Sequence, residues 1–410
     1  MISEIQIENF KSITKLNLPL GRVTVLIGEN GSGKSNILEA IAFLGAAAAN
    51  KLDNEFLVSR GIRVTDAALM RSAFPKNGAR DAVDAQTIHL AAHNGDASSA
   101  DFCLAELPPT KGLPGWISFP KKPQSDEQSS LLMTTPPEEI EKLRKNIKEI
   151  FTEVTPELFE NRETMIDEMV THLLLSQKIN AQNREAEKRL GLGRFLIYSP
   201  ENTALRRFEQ EGQIQPIGIR GEGLFKMLQT FGTEENLPRL TELKHCLELT
   251  GWFLDFSIRE NLAPGEFRLL IYDRFVGKKV TLDQRSANEG FLFLLFYFSL
   301  FLSPLTPHFF AIDNVDASLN PSLCAALMAR LCELAAKYDK QVLVTTHNPA
   351  LLDGLDLNDD SQRLFAVSRD EEGATQIRRI HPPKPREGTS PLKLSHAFLR
   401  GLIGGLPKNF

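Results

Sequence analysis

One short segment of this chain has the glycines, lysine and serine spaced as a phosphate-binding loop requires. Residues 28–35 read Gly-Glu-Asn-Gly-Ser-Gly-Lys-Ser, which matches G-x-x-x-x-G-K-S at every fixed position. The apolar run of residues 23–27 precedes the loop, and helical periodicity begins at Asn36. A strand, a glycine-rich turn and a helix in this order predict an α/β fold with the loop at a strand end.

The residue types in the loop suit the chemistry of a nucleoside triphosphate. Glycine lets backbone N–H groups turn toward phosphate oxygens, and the helix N-terminus adds a partial positive charge. Lys34 is predicted to reach the β- and γ-phosphates, and the Ser35 hydroxyl to coordinate Mg²⁺. The predicted nucleotide-binding residues are Gly28, Asn30, Gly31, Ser32, Gly33, Lys34, Ser35 and Asn36.

A second part of the site is predicted far along the chain. Residues 308–313 form an apolar run that ends in Asp313, as a buried parallel strand does when it delivers a carboxylate at its carboxyl end. Residues 341–346 form another such strand, followed by His347. The apolar spacing between these strands predicts a crossover helix. Asp313 is therefore predicted to anchor the Mg²⁺ held by Ser35, and His347 to sense the γ-phosphate.

The order of these elements resembles the ABC-type ATPase heads of the group that contains RecF, structural-maintenance-of-chromosomes and overcoming-lysogenization-defect proteins. Residues 5–13 resemble the first strand of that group, residues 317–321 its D-loop and residues 345–349 its switch-histidine motif. The likeness spans nearly the whole chain outside residues 97–194. It implies ATP as the nucleotide, ATP hydrolysis, and an ABC-ATPase-like P-loop head with a mixed sheet and an inserted helical lobe.

In this group a signature loop from a partner subunit completes the nucleotide site. The resemblance therefore implies a homo-oligomer built from head-to-head dimers that enclose ATP. The candidate loop precedes an apolar helix, and two alignments remain open: Ser286 to Glu289 stands for S-G-G-E, or residues 288–290 stand for S-D-G. The second is preferred because Gly290 and the following leucines then fall into place. The candidate signature residues are Ser286, Asn288, Glu289 and Gly290.

The residue after Asp313 departs from the pattern of the group. The group typically has a glutamate there that polarises the attacking water, whereas this chain has Asn314. A carboxamide accepts no proton at neutral pH and can only orient the water, which predicts slow hydrolysis. Asp316 is a candidate substitute for the missing base. The alternative is that positioning and charge stabilisation carry the reaction without any base.

The composition predicts how the chain is divided. Residues 1–96 are predicted to be the N-terminal part of the ATPase head, and residues 97–194 an inserted lobe of loops and charged helices. Residues 195–380 are predicted to complete the head, and residues 381–410 to form a docking tail. The lobe lacks sustained heptads, so it does not predict long coiled-coil arms.

Bulk properties predict a cytoplasmic protein. Of the 410 residues, 42% are hydrophobic and 24% charged, which is ordinary for a globular chain. No apolar segment approaches 18 residues, so no membrane association is expected. The four cysteines have no paired spacing. A formal net charge of -5 argues against a protein that binds nucleic acid over its whole surface. A local basic groove, and with it DNA binding, stays open.

No nuclease site is predicted after His347. A metal-dependent nuclease domain of the related kind needs about a hundred residues, more than residues 348–410 provide. The acids Asp353, Asp356, Asp359 and Asp360 are interpreted as turn residues or a solvated patch. Two functions stay open: the ATP-binding scaffold or sensor of a multi-component system such as bacterial antiphage defence, with a separate nuclease or toxin as effector, or a RecF-like DNA-binding ATPase in repair.

Overall fold

The computed structural model describes most of the head and parts of the segment between its halves. The described residues are 1–74, 87–95, 99–106, 115–119, 136–138, 140–142, 144–145, 190–207, 217–259, 268–382 and 393–403. Most of the helical lobe predicted at residues 97–194 lies outside them. The first strands of that range continue a sheet that begins before residue 97, so the sheet crosses the predicted boundary.

Within these residues the fold alternates strands and helices. The strands are β1 (Ile2–Phe10), β2 (Ile13–Pro19), β3 (Val23–Ile27), β4 (Ile88–Asn94), β5 (Ser99–Glu106), β6 (Trp116–Phe119), β7 (Ile197–Tyr198), β8 (Phe253–Arg259), β9 (Arg268–Asp273), β10 (Gly277–Asp283), β11 (Phe309–Ile312), β12 (Gln341–Thr346), β13 (Gln362–Arg369) and β14 (Thr375–Ile380). The α-helices are α1 (Lys34–Ala48), α2 (Asn54–Ser59), α3 (Ala67–Met70), α4 (Asn202–Leu205), α5 (Leu224–Thr230), α6 (Leu237–Leu247), α7 (Glu289–Leu302), α8 (Pro321–Lys337) and α9 (Leu394–Leu399).

The central sheet of the described chain has the order β14-β13-β3-β12-β11-β7. Its strands run parallel except β14, which pairs antiparallel with β13. Strand β3 therefore lies between two strands that come more than three hundred residues later. The mixed sheet and the α/β class predicted from sequence are confirmed.

Two antiparallel sheets accompany the central one, with the orders β2-β1-β4-β5-β6 and β10-β9-β8. The apolar side chains of β3 alternate between two cores. Val23, Val25 and Ile27 face a core built with α5 to α8, whereas Leu26 faces a core shared by α1 and the five-stranded sheet. This period-two alternation places α1, and with it the phosphate loop, between the two larger sheets.

Helix α7 is apolar on all sides and almost wholly buried. All but its first residue are buried, as expected for a helix enclosed by other elements. The segment that follows the helix is bound by the buried ammonium of Lys340, which donates to the carbonyl oxygens of Ser303 and Thr306 at 3.0 and 3.1 Å. Burial lowers the pKa of Lys340 to about 8. No helix of the described residues is long and apolar enough to cross a membrane.

The tail helix α9 packs against the 3-10 helix Pro349–Gly354, which directly follows the switch-histidine motif. The carboxylate of Asp353 accepts hydrogen bonds from the Ser395 N–H at 2.9 Å and from its hydroxyl at 2.7 Å. Asp356 and Asp359 are turn residues, as predicted, each accepting a backbone N–H two residues on. Asp353 is different, because it fastens the tail to the head.

Candidate functional site

The phosphate loop joins the carboxyl end of β3 to the first residue of α1. Gly31 and Gly33 have φ values of 77° and 109°, a backbone region that L-residues avoid. A Cβ atom on Gly33 would lie 2.1 Å from Thr375 Oγ1, and one on Gly28 would lie 2.2 Å from the Val367 carbonyl oxygen. The glycines are therefore required by backbone conformation and by the close approach of the β13–β14 hairpin.

Lys34 lies at the start of α1 and is only 5% exposed. Its ammonium donates to the carbonyl oxygens of Gly28 and Glu29, each at 2.9 Å, so the side chain curls over the loop. Burial lowers the pKa of Lys34 to about 8, and the charges of Asp313 and Asp316 oppose that shift. This is the mobile cation that a bound triphosphate would attract.

Asp313 follows β11 and faces the first turn of α1. The Ser35 hydroxyl donates to Asp313 Oδ2 at 3.1 Å. The Thr345 hydroxyl donates to the other oxygen, Oδ1. A hydroxyl and a carboxylate oxygen at hydrogen-bond distance are the ligand types that Mg²⁺ takes from proteins at phosphate sites. The structure thus brings together the two metal-binding residues that the sequence predicts.

His347 follows β12, which pairs directly with β3, so it lies beside the phosphate loop. It hydrogen-bonds the backbone of Gly28, and burial together with the Lys34 ammonium lowers its pKa. The neutral imidazole is therefore the dominant form at physiological pH. The preceding Thr346 hydroxyl donates to Asp316 Oδ1 at 2.6 Å, which connects the switch motif to the residue just before the D-loop.

Asn314 is exposed, and its backbone lies in the left-handed region with φ 53°. Its N–H donates to Thr345 Oγ1 at 2.8 Å. Asparagine tolerates this conformation far better than glutamate does, which gives a structural reason for its presence besides any catalytic one. Asp316, the candidate substitute base, has one oxygen engaged by Thr346.

The signature candidates lie at the N-terminus of α7. Asn288 is the N-cap, its side chain accepting a hydrogen bond from the Phe291 N–H at 3.3 Å. Ser286 instead belongs to a turn, where its N–H and hydroxyl both donate to Asp283 Oδ1 at 2.9 Å. Ser286 and Asn288 are exposed, Glu289 is half-buried and Gly290 is buried.

The D-loop touches this signature segment. The Ser318 hydroxyl donates to Glu289 Oε1 at 2.5 Å. A Cβ atom on Gly290 would lie 3.3 Å from the Ser318 carbonyl oxygen. The D-loop therefore contacts the signature segment, and Asp316, which directly precedes the D-loop, contacts the switch motif.

Several residues behind the loop were not predicted from the sequence. Thr375 of β14 donates to the Ser32 carbonyl oxygen at 3.0 Å, and its hydroxyl lies 2.7 Å from that of Ser12. The Asn36 side chain, which is predicted to contact nucleotide, donates to Ser12 at 2.7 Å. Arg369 donates to the Gly31 carbonyl oxygen at 2.7 Å. These hydrogen bonds connect the loop to β14 and to the end of β13, and so fix its backbone conformation.

The residues present fit a nucleotide with Mg²⁺. The Ser32 hydroxyl is buried and has no hydrogen-bond partner among the described residues, which leaves a donor for a ligand. Asn30 and Gly31 are exposed at the rim of the loop. Ser35 and Asp313 would hold the metal, and Lys34 the phosphates. When bound, ATP supplies the phosphoryl group for hydrolysis.

Comparison with known proteins agrees with this geometry. A family described as "AAA ATPase domain" matches residues 1–200, and one described as "AAA domain, putative AbiEii toxin, Type IV TA system" matches residues 117–353. The second match covers more than half of the chain. The chain belongs to this AAA family. It is an ABC-type ATPase head of the group that includes RecF and SMC proteins. Membership in this ATPase family implies ATP hydrolysis and a nucleotide cofactor, usually with Mg²⁺.

Relatives and a solved structure of that group are similar to parts of this chain in sequence and to nearly the whole in fold. Over 53 residues the chain is 49% identical to the chromosome partition protein Smc of Methanocaldococcus jannaschii, and over 55 residues 44% identical to RecF of Bacillus cytotoxicus. These stretches cover only 4% and 15% of the two relatives. A crystal structure of an SMC head bound to the C-terminal winged-helix domain of ScpA matches 93% of this chain and 97% of its own, with TM-score 0.51 and 14% identity. The fold is that of an ABC-type head.

Proposed function

We propose that this ATPase head binds ATP with Mg²⁺, hydrolyses it slowly, and acts as the scaffold or sensor of a multi-component system. The observation that supports ATP and Mg²⁺ best is the contact between Ser35 and Asp313 beside the buried Lys34. Asn314 supports slow turnover, because no carboxylate follows Asp313 where the group places its water-polarising residue.

The oligomer that we propose is a head-to-head dimer in which each signature loop covers the other subunit's γ-phosphate. Ser286 and Asn288 are exposed at the N-terminus of α7, so the positive end of that helix dipole is available to a partner's phosphates. We retain residues 288–290 as the preferred signature alignment, because Asn288 caps the N-terminus of the helix. His347 is proposed as the γ-phosphate sensor of each subunit.

The system that we propose is a bacterial antiphage defence module whose nuclease or toxin is a separate chain. The family match to putative AbiEii toxin proteins of a toxin–antitoxin system supports an association with such modules. A RecF-like ATPase on DNA is the second candidate, supported by the 44% identity to RecF over 55 residues. In both cases the long-lived ATP-bound dimer would be the active state, and hydrolysis would end it.

Light scattering of the purified chain tests the dimer. ATP with Mg²⁺ should increase the mass of the wild-type protein at least twofold, and Lys34→Ala should stay at the nucleotide-free mass. A wild-type protein whose mass is unchanged by ATP and Mg²⁺ contradicts the head-to-head arrangement.

Co-purification with products of the neighbouring genes, with and without ATP, separates the two candidate functions. An ATP-dependent complex with a second polypeptide supports the scaffold. ATP-dependent binding of duplex DNA by the isolated chain, without a second polypeptide, supports the RecF-like alternative.

A further inference from the structure

The hydroxyl of Thr345 is placed between the metal-binding carboxylate and the backbone that follows it. Thr345 lies in β12 and is 0% exposed. Its Oγ1 donates to Asp313 Oδ1 and accepts the hydrogen bond of the Asn314 N–H at 2.8 Å. The donor of the hydroxyl and one of its two acceptor lone pairs are therefore used by consecutive residues at the end of β11.

An aspartate needs such a partner to present one chosen oxygen. A carboxylate on an unsupported side chain rotates about two torsions and exchanges its oxygens. With Oδ1 engaged by Thr345, Oδ2 is left facing the Ser35 hydroxyl at 3.1 Å. The side chains that support a metal ligand fix its orientation, and their loss typically weakens metal binding.

We propose that Thr345 is a positioning residue for magnesium: its hydroxyl fixes Asp313 so that Oδ2 and Ser35 form the metal-facing pair. The inference rests on the proposed ATP and Mg²⁺ function of this site and adds a residue to it. Thr345 touches neither nucleotide nor metal in this role, because its hydroxyl is buried and hydrogen-bonded to Asp313 and Asn314. Its effect is therefore confined to the Mg²⁺-dependent part of ATP binding.

The neighbouring threonine provides a matched control. Thr346 is also 0% exposed on β12, but its hydroxyl donates to Asp316 at 2.6 Å and accepts the Asn348 N–H at 3.0 Å. Replacing either threonine by valine removes one buried hydroxyl and leaves the volume almost unchanged. Only the Thr345 change disconnects Asp313.

Titration calorimetry with ATP, once in excess Mg²⁺ and once in EDTA, measures the effect without turnover as the readout. The quantity compared is the ratio of the two affinities in each protein. Thr345→Val should lower this ratio about tenfold, as expected when a charge-assisted hydrogen bond to a carboxylate is lost. Thr345→Ser should keep the wild-type ratio, because serine restores the hydroxyl. Thr346→Val should keep it as well.

A wild-type ratio in folded Thr345→Val refutes the positioning role, and so does an equal loss in Thr346→Val. If the valine variant misfolds, Thr345→Ala tests the same hydrogen bond through the same ratio of affinities. Only the monodisperse fraction from gel filtration is used for each protein. A wild-type chain that binds no ATP refutes the proposed function itself, whereas wild-type binding with an unaltered Thr345→Val ratio refutes only this inference.

Discussion

The replacement of Asn314 by glutamate tests the link between local backbone and hydrolysis rate. The backbone at this position has φ 53°, where an ordinary L-residue costs roughly 1–2 kcal/mol and asparagine or aspartate less. The Asn314 N–H donates to Thr345 at 2.8 Å, a bond that any side chain at position 314 can keep. Glutamate is therefore expected to destabilise the fold by about 1 kcal/mol without displacing Asp313.

The expected gain in rate is larger than that strain. A general base contributes about 10²–10⁴ in rate, or about 3–5 kcal/mol of barrier at 1.36 kcal/mol per tenfold. The backbone strain is present in the ground state and in the transition state alike, so it lowers stability but leaves the barrier unchanged. Asn314→Glu should accordingly hydrolyse ATP at least about tenfold faster than wild type while unfolding at lower urea concentration.

Two further variants separate backbone from carboxylate. Asn314→Asp keeps a residue that tolerates the left-handed region and adds a shorter carboxylate. Asn314→Gly relieves the strain of the left-handed backbone and adds no carboxylate. It should therefore raise the free energy of unfolding and leave the hydrolysis rate unchanged. Steady-state phosphate release at saturating ATP and Mg²⁺ is the assay. Wild-type turnover within the usual ~1–10³ s⁻¹, or a slower Asn314→Glu, would show that another group activates water, with Asp316 as the first candidate.

Three other outcomes are expected. Lys34→Ala should abolish ATP binding in calorimetry, because it removes the mobile ammonium beside the phosphates; normal affinity would overturn the loop assignment. ATP affinity should fall as pH rises above about 8, since the free protein loses the Lys34 proton there whereas the phosphate-bound form keeps it; proton uptake, seen by comparing buffers of different ionisation enthalpy, checks the sign. Asp353→Ala should lower the free energy of unfolding in urea by about 1 kcal/mol by releasing Ser395, with ATP affinity unchanged.

The elements that local pattern can specify were predicted correctly. The strand, loop and helix of residues 23–48, the acid-bearing strand β11 and the helix α8 all depend on neighbouring residues whose periodicity is visible in the sequence. Apolar alternation and glycine placement carry this information directly.

Contacts across long sequence distances could not be predicted in the same way. Nothing in the local sequence indicates that Thr375 fills the space beside Gly33, or that Asp353 holds Ser395. The left-handed backbone at Asn314 occurs together with a hydrogen bond to Thr345, a residue 31 positions later that the local sequence does not identify as its partner. The sequence shows two adjacent threonines in the switch motif. Which carboxylate each hydroxyl binds, Asp313 or Asp316, depends on the direction of the side chain.

The position of β3 in the central sheet has a consequence for synthesis of the chain. Strand β3 is made early, yet its neighbours β12 and β13 end at Thr346 and Arg369. At about 5–20 residues per second, the ribosome delivers them about 20–70 s after β3 emerges. A nascent chain therefore carries the glycine loop before the neighbouring strands β12 and β13 are present. Nucleotide binding, and any assembly that depends on it, therefore becomes possible only after β13 has been synthesised, so shorter nascent chains cannot join or block the complex.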